Sequence, residues 1–362
     1  MAVTWASALG WRLRRQYLDD ERAATVEGVV DRLVALPSWS GDAATSIRLR
    51  LARSTPGDVE TAMMEGRVFA TYAFRGATHL MTSSSAAVHL ALRCAGRQWE
   101  RSSWRSHYGI EPEEWPRLRA TVREALVAGP LTQHELAEAV AKDPAYRHLK
   151  PAFADRSHTF LKPFGWQGDL CFSPSDGAPR FQLLESVPGW TGLAELDDAG
   201  PRAIRAYLAA YGPTTPDRIQ YWLGEGLSAG RKRIAGWIDE IDAELATVWV
   251  DGVEALCLSE HVEPIATAAE SHQVVLLPGS DQWVLGAGTS ATSIVPVKHR
   301  GTATGGANLI LIGGRVGGTW KVDRSTIRIS WFDGMSAAPS SVATAADWLS
   351  QALGRELELE SH

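Results

Sequence analysis

Gly129-Pro130-Leu131-Thr132-Gln133-His134-Glu135-Leu136 and Gly212-Pro213-Thr214-Thr215-Pro216-Asp217-Arg218-Ile219 are two copies of one local instruction in a chain of 362 residues. In each, an alanine-rich amphipathic helix runs into Gly-Pro. A threonine then stands where an N-cap oxygen satisfies the first free amides of a second helix. Each copy reads as one helix-turn-helix unit.

Downstream residues extend both units. After the first copy, residues 153–164 read as a third helix. Gly168-Asp169-Leu170-Cys171-Phe172 and Arg180-Phe181-Gln182-Leu183 then read as a hairpin closed by Pro174-Ser175-Asp176-Gly177. After the second, residues 228–241 read as a helix, and Ala246-Thr247-Val248-Trp249-Val250 turns through Asp251-Gly252 into Glu254-Ala255-Leu256-Cys257-Leu258. Asp-Gly between two alternating apolar runs is a strong short-range hairpin signal. Three helices and a hairpin, repeated in tandem, describe winged helices and point to nucleic acid. The other use of such a unit is protein docking or scaffolding.

The N-terminal third reads as a more divergent unit of the same kind. Residues 5–18 and 25–36 have helical apolar spacing, and residues 56–65 start with Pro at the first helical position and end on Gly66. Val68-Phe69-Ala70-Thr71-Tyr72 and Thr78-His79-Leu80-Met81-Thr82 flank Arg75-Gly76 as a hairpin.

Residues 261–362 change character. Val274-Val275-Leu276-Leu277-Pro278, Gln282-Trp283-Val284-Leu285-Gly286, Ala307-Asn308-Leu309-Ile310-Leu311-Ile312, Gly317-Gly318-Thr319-Trp320-Lys321-Val322 and Thr326-Ile327-Arg328-Ile329-Ser330-Trp331 read as short strands. A helix over residues 342–353 comes after them. Gly305-Gly306 and Gly313-Gly314 are turn chemistry, because they lack the strand-to-helix setting of a phosphate-binding loop.

Composition narrows the class. The chain is 45% hydrophobic and 22% charged, and no apolar run approaches the roughly 18 residues of a membrane helix. Arg12, Arg14 and Arg15 interrupt any signal-peptide core, so the expected location is cytoplasmic. Cys94, Cys171 and Cys257 are far apart and read as small core residues. With no HExxH motif, no paired Cys/His spacing and 10 scattered histidines, neither a metal nor a cofactor is expected.

The formal net charge is -6, which is unusual for a chain that grips phosphates. The charge is uneven, however. Residues 1–128 hold 17 Arg, no Lys and 14 acidic residues, a surplus of three positive charges against nine negative in the remainder. Arginine suits bidentate phosphate contact and base stacking. Further basic groups are Arg156 and Lys162, Arg231-Lys232-Arg233, and Lys298-His299-Arg300. Any one cluster reads either as a solvated face or as a DNA contact.

The order of these parts resembles the AlkZ-like (YcaQ-type) winged-helix DNA glycosylases. The matching stretches are Arg75-Gly76-Ala77-Thr78-His79-Leu80, the two Gly-Pro helix starts, Leu276-Leu277-Pro278-Gly279-Ser280-Asp281-Gln282-Trp283-Val284-Leu285-Gly286, and Gly314-Arg315-Val316-Gly317-Gly318-Thr319-Trp320. The resemblance implies an α+β fold, with three tandem winged helix-turn-helix units around a concave face followed by a β-rich C-terminal domain. The units are expected over residues 1–110, 111–190 and 191–260, and the β-rich domain over 261–362. Double-stranded DNA, alkylated, is the implied partner, with no obligate protein partner and no membrane.

Two departures stand out. Family members carry Gln-x-Gln, Gln-x-Asp or His-x-Gln after the second helix, thought to place the water that attacks the sugar C1′. Here the two positions fall on Pro37 and Trp39. Pro has no polar side-chain atom, and Trp offers one N–H donor and no acceptor. Ser38, Ser40 and Asp42 share the loop, and a carboxylate there can orient water and counter oxocarbenium charge. Equally, Ser and Asp at such positions cap the following segment. Trp39 reads either as a wedge or stacking surface for distorted DNA or as a core tryptophan, and His79 either as a residue of the DNA-facing surface or as a hydrogen-bonded structural one.

The second departure comes after Gly286, where the family's charged Asp-Arg hairpin is replaced by Ala287-Gly288-Thr289-Ser290-Ala291-Thr292. Lys298 and Arg300 are the nearest basic groups in sequence. Two function classes are therefore expected. One is a DNA glycosylase that excises bulky N7-alkylpurine adducts or crosslinks, such as those left by a DNA-alkylating natural product. The other is a catalytically silent binder of DNA, lesions or a ligand.

Overall fold

A strand that is apolar at every position must be covered on both faces, and Val274–Leu277 is. Val274 and Leu276 pack with Ala345, Ala346 and Leu349 of the C-terminal helix Pro339–Leu353. Val275 and Leu277 face the other way, into a core with Leu9 and Leu13 of the first helix, Trp5–Arg15. The computed structural model describes residues 2–40, 42–175, 177–226 and 228–360, and its architecture is mixed α+β. These residues form two units. One comprises Met1–Ala62, Ile204–Trp222 and Ile238–His362, the other Met63–Ala203 and Leu223–Trp237.

The first unit is built on a five-stranded sheet in the order Val274–Leu277, Leu309–Ile312, Arg315–Asp323, Thr326–Trp331, Glu358–Leu359. The first four strands run antiparallel, and the last joins in parallel. Gly313 and Gly314 both adopt positive φ, at 55° and 86°, so the two-residue turn matches the twist of the strands that it joins. Trp320 Nε1 donates to the Leu277 carbonyl at 2.8 Å, which gives a buried indole its partner. A second hairpin, Leu245–Val250 with Val253–Leu258, turns through Asp251-Gly252, again with both φ positive.

One expected strand is a helix. Gln282–Ala287 is helical, with the Asp281 carboxylate accepting from the Trp283 amide at 2.8 Å as N-cap. A short apolar run of this length carries no periodicity that separates strand from buried helix, and the capping aspartate decides it. At its far end Gly286 lies so close to Tyr211 that an added Cβ would sit 2.2 Å from the ring. Tyr211 in turn donates to the Leu33 carbonyl at 2.7 Å, and Tyr207 to the Gly286 carbonyl at 3.0 Å.

In the second unit Thr132 caps Gln133–Val140, as the first Gly-Pro copy implied, and Glu135 completes a reciprocal capping box with it. An aromatic core of Trp115, Phe153, Phe160, Phe164, Trp166 and Phe181 lies beneath it. Phe69–Tyr72 pairs antiparallel with Thr78–Met81, and Leu170–Ser173 with Arg180–Leu183. The turn expected between the latter two strands includes Asp176, which lies outside the described residues.

The helix expected over residues 153–164 is two shorter ones, Lys150–Phe153 and Lys162–Trp166. Between them the Asp155 carboxylate accepts from both the amide and the hydroxyl of Ser157, a local alternative to helical bonding. Pro163 lacks an amide and therefore fits the first turn of the second helix. In the first unit, similarly, the helix expected from Pro56 begins at Asp58, because Gly57 takes a positive φ of 96°. Among the described residues no helix is long and apolar enough to cross a membrane.

Candidate functional site

The loop that the sequence singles out begins where Val26–Leu33 ends. Val34 closes that helix in an unusual positive-φ conformation, and its amide donates to the Asp31 carbonyl. Pro37 is buried in extended backbone, whereas Ser38, Trp39 and Ser40 are exposed. At 46% exposure Trp39 is not a core tryptophan. Asp42 caps the next helix, Ala43–Arg48, its Oδ1 accepting from the Thr45 amide at 2.8 Å and its Oδ2 from the Thr45 hydroxyl at 2.5 Å. The capping function of Asp42 is thus present, and the residue is exposed, two positions after Ser40.

Beneath the loop lies a buried ion pair that sequence reasoning missed. Arg50 engages Asp281 with both terminal nitrogens, at 2.8 and 2.9 Å, and donates to the Ser46 and Gln16 carbonyls. Ser46 Oγ donates to the same carboxylate at 2.5 Å. Burial alone would raise the Asp281 pKa. The Arg50 charge and the three donors reverse that and hold it below the usual carboxylate value. Ser280, the neighbour of Asp281, donates to Ser40 Oγ at 3.3 Å, and the Gly279 amide donates to Asn308 at 2.8 Å. The Leu276–Gly286 motif is therefore joined to the exposed loop through Ser280 and to the helix after it through Asp281. Within that family-matching stretch, the signal for its local role was an aspartate ahead of an apolar run, an N-cap signature.

In the second unit the hairpin tip gathers basic groups. Arg75 is exposed with φ 53°, and Gly76 approaches Lys162, Trp166 and Arg93. Arg93, not singled out from sequence, lies over the Trp166 ring at 4.1 Å and donates to the Gly226 carbonyl at 3.1 Å. Burial lowers its pKa to about 10, and burial with the nearby Arg93 charge lowers that of Lys162. His79 is 3% exposed, and its Nδ1 bonds the Ala77 carbonyl at 3.0 Å. Burial depresses its pKa to about 3, so the ring is neutral. Arg156 is exposed on the loop between the two short helices, and Arg231, Lys232 and Arg233 are exposed at the start of Arg231–Glu240. In the first unit Lys298 is exposed just before the Arg300–Thr304 helix, and Arg300 is exposed at its start.

Comparison with known proteins returns one coherent set of likenesses. The family model described as DNA glycosylase AlkZ-like matches residues 9–359. An interstrand DNA cross-link repair glycosylase from Streptomyces sahachiroi is 30% identical over 331 residues, 89% of each chain. The solved structure of the Streptomyces sahachiroi DNA glycosylase AlkZ matches with a TM-score of 0.91 at 29% identity, covering 99% of this chain and 100% of that one.

Proposed function

Because the chain belongs to the AlkZ-like DNA glycosylase family, we propose that it cleaves the N-glycosidic bond of a bulky N7-alkylpurine adduct or crosslink in double-stranded DNA. The observation that carries this reading is likeness over essentially the whole chain, in sequence and in fold. A local motif match would support far less. On this reading the helix-and-hairpin segments serve as three winged helices. Arg75, Arg156, Lys162, the Arg231-Lys232-Arg233 cluster, Lys298 and Arg300 hold phosphates.

The chemistry asks little of the protein. A purine alkylated at N7 is cationic and leaves readily, so the enzyme must place a water and counter positive charge at the sugar. Ser38 and Ser40 present hydroxyls on the exposed loop, and Asp42 supplies a carboxylate whose capping bonds leave further lone pairs. Trp39 offers an aromatic face to a displaced base or a kinked step. The second reading, a silent binder of DNA, lesions or a ligand, draws on Pro37 and Trp39 at the family's water-placing positions and on the capping role of Asp42.

Incubation with duplex DNA carrying an N7-alkylguanine, with detection of abasic sites, separates the two. Asp42→Asn is the informative variant, because asparagine still caps a helix N-terminus while removing the charge. A loss of about 10²-fold in release at unchanged melting temperature is expected for a water-placing or charge-stabilising carboxylate. Product from the wild type with no change in Asp42→Asn would remove Asp42 from the chemistry. Salt-sensitive DNA binding without product, across bulky and small lesions, would establish the silent binder.

A further inference from the structure

A cavity of about 210 Å³ in the first unit has no assigned occupant. Its wall includes Arg12, Thr214, Thr215, Arg218, Ser290 and Ser293, and among the described residues that line it none is acidic. Arg12 is only 2% exposed, yet among the described residues its guanidinium has no carboxylate partner. Nη2 donates to the carbonyls of Tyr211 at 2.5 Å and Pro213 at 3.1 Å, and Nε has no partner among those residues. A desolvated cation without a counter-ion is costly, and burial lowers the Arg12 pKa to about 10 in consequence. Arg218 approaches from the first turn of Pro216–Gly224, with Nη1 donating to the Ser290 hydroxyl at 2.5 Å. The positive end of that helix adds to the field.

We propose that this cavity is a phosphate site, in which the Arg12 and Arg218 guanidiniums clamp a tetrahedral anion and the Thr215, Ser290 and Ser293 hydroxyls donate to its remaining oxygens. Guanidinium forks and hydroxyls match phosphate oxygens in geometry and number. Ala287, Ala291 and Thr292 complete that side of the cavity with small side chains. A bound anion supplies the counter-charge that Arg12 lacks. The anion is either a backbone phosphodiester of DNA or free phosphate, and only the first source rests on the DNA-glycosylase reading.

The test uses the full chain and two probes. Calorimetric titration with inorganic phosphate, against chloride at equal ionic strength, is expected to show saturable binding that Arg218→Gln weakens at least tenfold. Arg218 is partly exposed, so this variant is expected to keep the fold, and Arg12→Lys checks that the fork, beyond the charge, is required. In the second arm, the slope of log affinity for duplex DNA against log salt is measured for wild type and Arg218→Gln. A loss of about one unit in Arg218→Gln supports the site and assigns it to the DNA backbone. Lost phosphate binding with an unchanged slope supports the site and assigns it to free phosphate. Phosphate binding in a wild type with no DNA affinity keeps the site and overturns the DNA reading. DNA binding with neither phosphate titration nor a slope change overturns the site and leaves the DNA reading standing.

Discussion

Arg50 and Asp281 show how a single pair decides the environment of the loop. Both side chains are essentially inaccessible, so removing one leaves the other as an uncompensated buried charge. Arg50→Met is expected to cost about 3–5 kcal/mol, read as a lowered denaturant midpoint. Asp281 also carries a pH signature. Its folded pKa lies below its ordinary value, so the pair stabilises above the unfolded pKa and that stability is lost as pH falls through the folded one. His79 and His89 act in the same direction by another route. Burial depresses them to about 3 and about 4, so the unfolded chain binds protons that the folded chain refuses. Stability is expected to decline as pH drops from about 6.5 towards 4, and a His79→Gln, His89→Gln double variant should flatten that decline in acid titrations monitored by circular dichroism. An unchanged acid slope would remove these two rings as its source.

At the scale of elements, close approach rather than propensity places the Gln282–Ala287 helix. Its glycine is where the Tyr211 ring fits, and Tyr207 takes the same glycine's carbonyl. Gly286→Ala must displace a buried aromatic ring that is itself hydrogen-bonded, and about 1–3 kcal/mol of destabilisation is expected in chemical denaturation. A neutral outcome would mean that the helix shifts freely, and the link to Ser40 through Ser280 would then be softer than the hydrogen bonds imply. Turn and cap chemistry was legible beforehand. The Thr132 cap, Asp251-Gly252 and Gly313-Gly314 each act within a few residues of themselves, and each lies where the sequence placed it. The 153–164 segment was not legible, because Asp155 interrupts the helix through bonds to Ser157 that an apolar periodicity does not register.

For the whole molecule, a net charge of -6 means that DNA affinity must come from local clusters. Bulk attraction is not available. Affinity for duplex DNA is therefore expected to fall steeply with salt, with a slope of about 0.9 per phosphate neutralised. An Arg75→Ala, Lys162→Ala double variant should reduce that slope by about two, measured by fluorescence anisotropy across a salt series. Weaker binding at an unchanged slope would exclude the pair from phosphate contact.

The sequence by itself determined the hairpins at residues 69–81, 170–183 and 245–258, the Thr132 cap, the glycine turns and the family, because these signals are carried by neighbouring residues and by motifs that stay in register along the chain. Only the tertiary structure decided that Trp39 is exposed while His79 is buried, that Asp42 caps a helix, and that Arg50 meets a carboxylate 231 residues away. It also decided that Arg12, among the described residues, meets none. Whether a charge is solvated, paired or stranded depends on the groups packed around it. That packing is set by contacts between segments far apart in the chain, which no local pattern encodes.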